Sequence, residues 1–309
     1  MRRPKILVVG SMNMDIYIYD VPRIPAIGES VMCGNYAYAT GGKGSNQALA
    51  CALQGANAVM VGRVGKDRNG YALEERLKGI GVDTSHMIFD EEAQTGLAIM
   101  NVTKEGKYFC CVALGANTKI CPQDVEAAFV NEEYDMLVMQ LEIPLETVYR
   151  TYEMASRRKI PVFLDAGPAM SIPLDRLKGI FVISPNETET EALTGIKVDT
   201  LERIEMAGKQ LYDRVNPKYV ILKLGSRGAY LYDGEQGKLI PGFKVNAIDS
   251  TAAGDTFGAA IAVQLCKGKS IEDAICFGHA AAGICVSRKG AHPSIPTEKE
   301  VVRFLQQRL

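Results

Sequence analysis

KILVVG, residues 5–10, holds the unbroken apolar run ILVV between a lysine and a glycine. A strand with one wet face alternates polar with apolar residues, so an unbroken run predicts a strand buried on both faces. Four more runs of this kind follow: MLVMQL (136–141), VFLDAG (162–167), FVIS (181–184) and YVILKLG (219–225). Helical stretches lie between them. SNQALACALQGA runs to a Gly-Ala break, and PLETVYRTYEMASRRK opens on Pro and closes on Arg-Arg-Lys, the polarity a helix prefers. Strand and helix in alternation predict an α/β fold whose mostly parallel sheet is covered on both faces, as one domain over 1–309. From Asp255 to about Arg288 the pattern predicts two apolar helices parted at KGKSIED, and no internal repeat is found.

Two stretches depart from that pattern. In DIYIYD (15–20), Ile16 and Ile18 share one face and Tyr17 and Tyr19 the other. TGLAIMNVTKEGKYFCCVAL (95–114) reads as a hairpin around KEGK, with Phe109, Cys111 and Ala113 opposite Tyr108, Cys110 and Val112. Both faces are apolar, so both are expected to be covered. The expectation is a small β lid, with strands near 14–20, 31–38 and 95–114. One lid face would lie over the active site and the other against a second copy, making a homodimer.

Composition removes several classes of function. The 309 residues carry a net charge of −1 with no basic cluster, which argues against a nucleic-acid partner. MRRPK is basic, but ILVVG is too short for a signal sequence, and no apolar run approaches the roughly 20 residues of a membrane span. The eight cysteines (33, 51, 110, 111, 121, 266, 276 and 285) form no C-x-x-C, and the three histidines form no H-E-x-x-H. Reduced thiols in a cytoplasmic protein are expected, without zinc.

Six short stretches carry candidate chemistry. DSTAAGDTF (249–257) sets Ala252, Ala253 and Gly254 before Asp255 at a helix start. Small residues and unpaired N–H groups there suit an anion. A carboxylate beside that anion makes sense if it takes a proton from whatever attacks the anion. GGKGSNQA (41–48) is neither a Walker A loop nor G-x-G-x-x-G; it is a glycine turn, or a loop through which Lys43 and Asn46 touch a small polar ligand. In GSMNMD (10–15) an extended chain points Asn13 and Asp15 the same way, able to grip hydroxyls unless they serve only the turn. Glu142 closes an apolar strand, where α/β sheets bind ligands, though an exposed strand end reads the same. Asn186 and Glu189 open a helix after another such strand. His279 lies among Ala, Gly and Cys, the setting of a buried structural histidine.

GSMNMD, GGKGSNQA, QLE, SPNETE, KLGSRGAYL and DSTAAGDTF occur here in the order used by the PfkB-type carbohydrate kinases. The resemblance runs nearly end to end, from KILVVGSMNMD to SRKGAHPSIP, and is most specific in AAGD, GGKGSNQ and RKGAHPS. It implies the ribokinase-like three-layer sandwich of that family with a β-sheet lid. It further implies transfer of the γ-phosphoryl of Mg²⁺-bound ATP to a pentose, best D-ribose at O5. On this resemblance Asp255 is the general base and Ala252, Ala253 and Gly254 form an anion hole. The sugar is held by Asn13, Asp15, Gly41, Gly42, Lys43, Asn46, Glu142 and Asp255. Asn186 and Glu189 place Mg²⁺ near the phosphates. Lys223, Gly225, Ser226 and Gly228 serve ATP together with Gly254, and His279 serves the adenine. An activating K⁺ falls to Asp249, Thr251, Cys285, Arg288, Gly290 and Ser294, several through the main chain.

Three departures stand out: Lys223 where such kinases often carry threonine, DAGPA (165–169) in place of Asn-Pro-Ala-Pro, and Ser45 in place of alanine. Deoxyribose, fructose or a nucleoside remain alternative acceptors. A non-catalytic sugar or nucleotide sensor would have lost Asp255 or the Ala-Ala-Gly turn, and both are intact. A nicotinamide enzyme would need G-x-G-x-x-G after the first strand.

Overall fold

In β1 (Lys5–Val9) alternate side chains enter two different cores. Leu7 and Val9 join Leu137, Val148, Leu164 and Leu211; Ile6 and Val8 join Leu49, Phe163, Ile261 and Ile275. Burial on both faces is why the run needs no polar alternation. The structure is a computed structural model, and it describes residues 2–103 and 108–308.

Along the chain follow β2 (Asn13–Val21), β3 (Tyr36–Gly41), α1 (Lys43–Leu53), β4 (Asn57–Gly65), α2 (Arg68–Ile80) and β5 (Asp83–Asp90). Next come β6 (Gly96–Thr103), β7 (Tyr108–Ala113), α3 (Pro122–Glu126), β8 (Met136–Met139), α4 (Leu145–Arg157), β9 (Val162–Asp165) and β10 (Val182–Ser184). Then α5 (Glu187–Thr194), α6 (Leu201–Val215), β11 (Tyr219–Lys223), β12 (Ala229–Tyr232) and β13 (Gly237–Ile240) lead to α7 (Ala253–Cys266), α8 (Ile271–Val286) and α9 (Glu298–Gln306).

Nine strands form the main sheet in the order β13-β12-β11-β10-β9-β8-β1-β4-β5, parallel from β11 to β5. Helices α3, α4 and α6 cover one face, and α1, α2, α7 and α8 the other, giving the expected three layers. Successive strands are laid down on one side of β1 and then, from β8, on the other. The carboxyl ends of β1 and β8 therefore flank a topological switch point, where open α/β sheets bind ligands. Among the described residues no helix is long and apolar enough to cross a membrane.

The second sheet, in the order β3-β2-β6-β7, is the predicted lid, with one boundary to correct. Its second strand in chain order, β3, starts at Tyr36, not near 31, and runs on to Gly41. Asp20, in the left-handed region at φ 57°, turns β2 aside, and Gly34 and Asn35 close the ladder on Tyr19. The KEGK turn (104–107) lies outside the described residues. Asn13, Asp15 and Tyr17 are buried on the inner face. On the outer face Tyr36 and Tyr38 stand opposite Ile18 and Ile16 and are 68% and 63% exposed. Within one chain, then, the inner face is covered while the two outer-face tyrosines stay in solvent.

Candidate active site

Each parallel strand near the switch point delivers a polar group at its carboxyl end: Ser11 after β1, Gln140 and Glu142 after β8, Asp165 on β9, Asn186 after β10 and Lys223 on β11. The period-2 geometry of β2 adds Asn13 and Asp15 from above.

The first half of the site is acidic. Ser11 Oγ donates to Glu142 Oε2, which also accepts from Lys43 N at 3.4 Å. Gly41 lies against the Asp15 carboxylate. Gly42, at φ 90° and ψ 138°, folds over the backbone of Met12 and Asn13. Asn117 Nδ2 donates to Asn13 Oδ1 at 2.8 Å while its own Oδ1 accepts from Met12 N at 2.8 Å. This engages the Asn13 oxygen and orients the amide. Burial, with Glu142 and Asp255 adding repulsion, pushes Asp15 up to about 7. Acceptors crowded in this way suit a ligand rich in hydroxyl donors.

Asp255 stands in the first turn of α7, where Asn46 Nδ2 donates to its Oδ2 at 2.8 Å. Its Oδ1 is buried with no hydrogen-bond partner. Burial pushes it up to about 6, against the pull of Lys43. The helix has no side-chain N-cap, and Ala252 at that position is left-handed, φ 60°. For a non-glycine residue this costs roughly 1–2 kcal/mol, strain of the kind that collects at functional sites. One expectation is amended: Ala253 N–H is committed to Ser250 O at 3.2 Å, so an anion would meet the N–H groups of Ala252, Gly254 and Asp255.

Beyond Gly254 lies a second group of charges. Lys223 Nζ pairs with Asp165 and stands 3.6 Å from Glu189 Oε2. Asn186 and Glu189 cap α5 reciprocally, with Glu189 N to Asn186 Oδ1 at 2.8 Å and Asn186 N to Glu189 Oε2 at 2.6 Å. Lys43 joins the two halves. Burial works against its charge, but Asp255, Asp165, Glu189 and Glu142 outweigh it and hold the ammonium above the usual lysine range.

The remaining predicted residues fall into two outlying groups. Gly225, Ser226 and Gly228 form a tight turn after β11, with Ser226 exposed. A Cβ on Gly242 would lie 3.6 Å from Gly228 Cα and 3.8 Å from His279 Nδ1, which links that turn to the histidine. His279 tilts against Phe257, centroids 5.0 Å apart, and burial lowers it to about 4, so it is neutral. In the second group Asp249 Oδ1 accepts from Thr251 N and Oγ1 at 2.9 and 2.7 Å, and Oδ2 accepts from Gly290 N at 2.9 Å. Cys285 Sγ lies 3.5 Å from Thr251 O and 3.0 Å from Ser294 Oγ. The Arg288 side chain departs from this group to pair with Glu300 at 2.6 Å.

Asp165, Gln47, Gln140, Asn117, Ser11 and His292 were not anticipated. Asp165 closes an apolar strand just as Glu142 does, so the same signal would have found it. His292, 1% exposed, joins Thr40 Oγ1 at 2.7 Å and Ser45 Oγ at 3.2 Å. No local pattern marks a contact between residues so far apart in the chain.

A carboxylate with a raised pKa at an uncapped helix start, at the switch point of a three-layer α/β sheet, is placed to take a proton beside a bound anion. The chain belongs to the pfkB family of carbohydrate kinases, whose model matches residues 3–298. It is 36% identical over 305 residues to a ribokinase of Haemophilus influenzae, covering 98% of this chain and 99% of that one. A ribokinase of Staphylococcus aureus is 37% identical over 302 residues, with 96% and 98% covered. The solved structure of Arabidopsis thaliana ribokinase complexed with ribose and ATP superposes with a TM-score of 0.90 at 34% identity, covering 99% of both chains.

Proposed function

We propose that this carbohydrate kinase transfers the γ-phosphoryl of ATP to O5 of D-ribose. The observation that carries the reading is Asp255, buried at the start of α7 between the acidic cluster around Asp15 and the charges around Lys223. Asp255 takes the proton of the sugar's primary hydroxyl as that oxygen attacks the γ-phosphorus. The bond to the bridging oxygen breaks, and ADP leaves. The N–H groups of Ala252, Gly254 and Asp255 receive the charge on the transferred group without reorganising. Asn13, Asp15, Glu142 and the Gly41–Lys43 backbone hold the other hydroxyls. Asn13 favours a 2-hydroxyl, because an amide facing a deoxy carbon is left unpaired at a cost of about 1–3 kcal/mol.

Glu189 suits Mg²⁺, which keeps most of its waters and needs one or two carboxylates beside the phosphates. Bound there, the ion would neutralise charge across the phosphates. Asp249, the Thr251 carbonyl and Ser294 suit a monovalent cation such as K⁺. The group offers one carboxylate among neutral donors, and among the described residues no three His, Cys, Asp or Glu side chains converge as a metal site.

The test is ADP release from Mg·ATP with D-ribose, with and without potassium, between pH 5 and 8. Turnover should depend on ribose and rise with potassium. Because the ionised base is needed, kcat/KM should fall about tenfold per unit below roughly pH 6. Equal efficiency with deoxyribose would overturn the sugar assignment alone. No ADP with any pentose, hexose or nucleoside would overturn the kinase reading.

The outer lid face, where exposed Tyr36 and Tyr38 stand opposite half-buried Ile16 and Ile18, supports a homodimer across the lid. Light scattering at micromolar concentration is expected to give twice the 33.6 kDa chain mass. A monomer there would sink the idea. Eight free cysteines support a reducing, cytoplasmic setting.

A further inference from the structure

Holding ATP does not by itself explain Lys223. We propose that Lys223 is a catalytic residue whose ammonium meets the phosphoryl group in flight, and that Asp165 is its positioning residue. The proposal rests on the phosphotransfer reading above.

Four observations lead there. A Cβ on Gly254 would lie 3.5 Å from Lys223 Nζ, so the ammonium stands at the helix start where the anion is expected. The lysine is held from both ends. Its backbone N donates to Pro185 O at 2.8 Å and bridges Asn186, while its ammonium pairs with Asp165. Asp165 is fixed in turn: Gln47 Nε2 donates to its Oδ2 at 3.0 Å, and Gln140 Nε2 donates to Gln47 Oε1 at 2.6 Å. Finally, the Asp165 side chain is 1% exposed and that of Lys223 is 12% exposed, so the pair is almost sealed from solvent.

A buried ion pair with no further task is a poor choice, since both ions must be desolvated. Replacing such a pair by neutral residues often costs a fold nothing. The cost is understandable if the ammonium has a second partner that arrives with the substrate. Burial works against the Lys223 charge, but Asp165 and Glu189 keep it above its usual range, so it stays an ammonium through the working pH range. Among the described residues the cations gathered here are Lys43 and Lys223, facing Asp15, Glu142, Asp165, Glu189 and Asp255. A fixed positive charge beside Gly254 is therefore scarce. It would act most strongly as the γ-phosphoryl detaches and its oxygens move against the helix start.

The experiment compares the wild type with Lys223→Thr, Asp165→Asn and the double variant Asp165→Asn/Lys223→Thr. It reads kcat, KM for ATP, the Kd of a non-hydrolysable ATP analogue, and Tm. Lys223→Thr strands the Asp165 carboxylate, so its Tm should fall and kcat should drop about a hundredfold or more. The double variant removes both charges. Its Tm should return to near the wild-type value and the analogue should bind within a few-fold of wild type, while kcat stays about a hundredfold down. A double variant with native kcat would overturn the proposal, because the pair would then serve only itself. A Lys223→Thr variant with native kcat and a weaker Kd would overturn it too, because the ammonium would only bind ATP. Wild-type protein inactive with every acceptor would overturn the kinase reading, and this proposal with it.

Discussion

Asp255→Asn is expected to lower kcat about a hundred- to ten-thousandfold and, at the same time, to raise Tm. The loss follows from the base. An amide accepts no proton from the sugar hydroxyl, although its oxygen still receives the 2.8 Å bond from Asn46 Nδ2. The gain follows from burial. Asp255 is 5% exposed, has one unpartnered oxygen, and is pushed from 3.8 up to about 6 in the folded chain. A carboxylate whose folded pKa is raised opposes folding once the unfolded chain ionises. The penalty starts near pH 3.8 and is complete above about 6. Its size at pH 7 is about 3 kcal/mol. The asparagine carries no such charge, so calorimetry at pH 7 should show a higher Tm, with the advantage shrinking toward pH 4. Native kcat in this variant would remove Asp255 from the chemistry. A lower Tm at pH 7 would show that its attraction to Lys43 and Lys223 exceeds its cost of burial.

Gly42→Ala is expected to cost about a hundredfold in kcat/KM for the sugar, with KM carrying much of the loss. At φ 90° and ψ 138° the backbone there is one that side chains rarely adopt. A Cβ would lie 2.6 Å from Asn13 N and 2.8 Å from Met12 Cα. Both are main-chain atoms, so no rotamer change relieves the clash. The Gly41–Lys43 turn and the first residues of β2 must separate, and these carry Asn13, Asp15 and Lys43. Sugar titrations against the purified variant would measure the effect. An unchanged KM would mean that this turn does not contact the substrate.

Features that depend on near neighbours in the chain are legible in the amino-acid sequence alone. The five apolar runs became β1, β8, β9, β10 and β11, and the stretch from Asp255 became α7 and α8, parted near Lys267–Ser270. The Asn186–Glu189 spacing marked a helix start and closes as a reciprocal cap. Asn13 and Asp15 fell on one face because a strand repeats every two residues. The lid boundary at Tyr36 was missed because one left-handed residue, Asp20, redirects the chain, and nothing in its neighbours signals that.

The amino-acid order by itself determined which segments are strands and helices, where the chain turns tightly, and which motifs could bear chemistry. Each of these is set by forces acting over a few residues: side-chain periodicity, backbone freedom and capping. Only the tertiary structure decided which charges meet. Lys223 finds Asp165 58 residues away, Asn117 orients Asn13 from 104 away, and His292 reaches Ser45 across 247. Those pairings follow from the strand order around β1, which is settled by burying both faces of one sheet at once. Two-sided burial constrains the whole chain together, so no single window of sequence contains it.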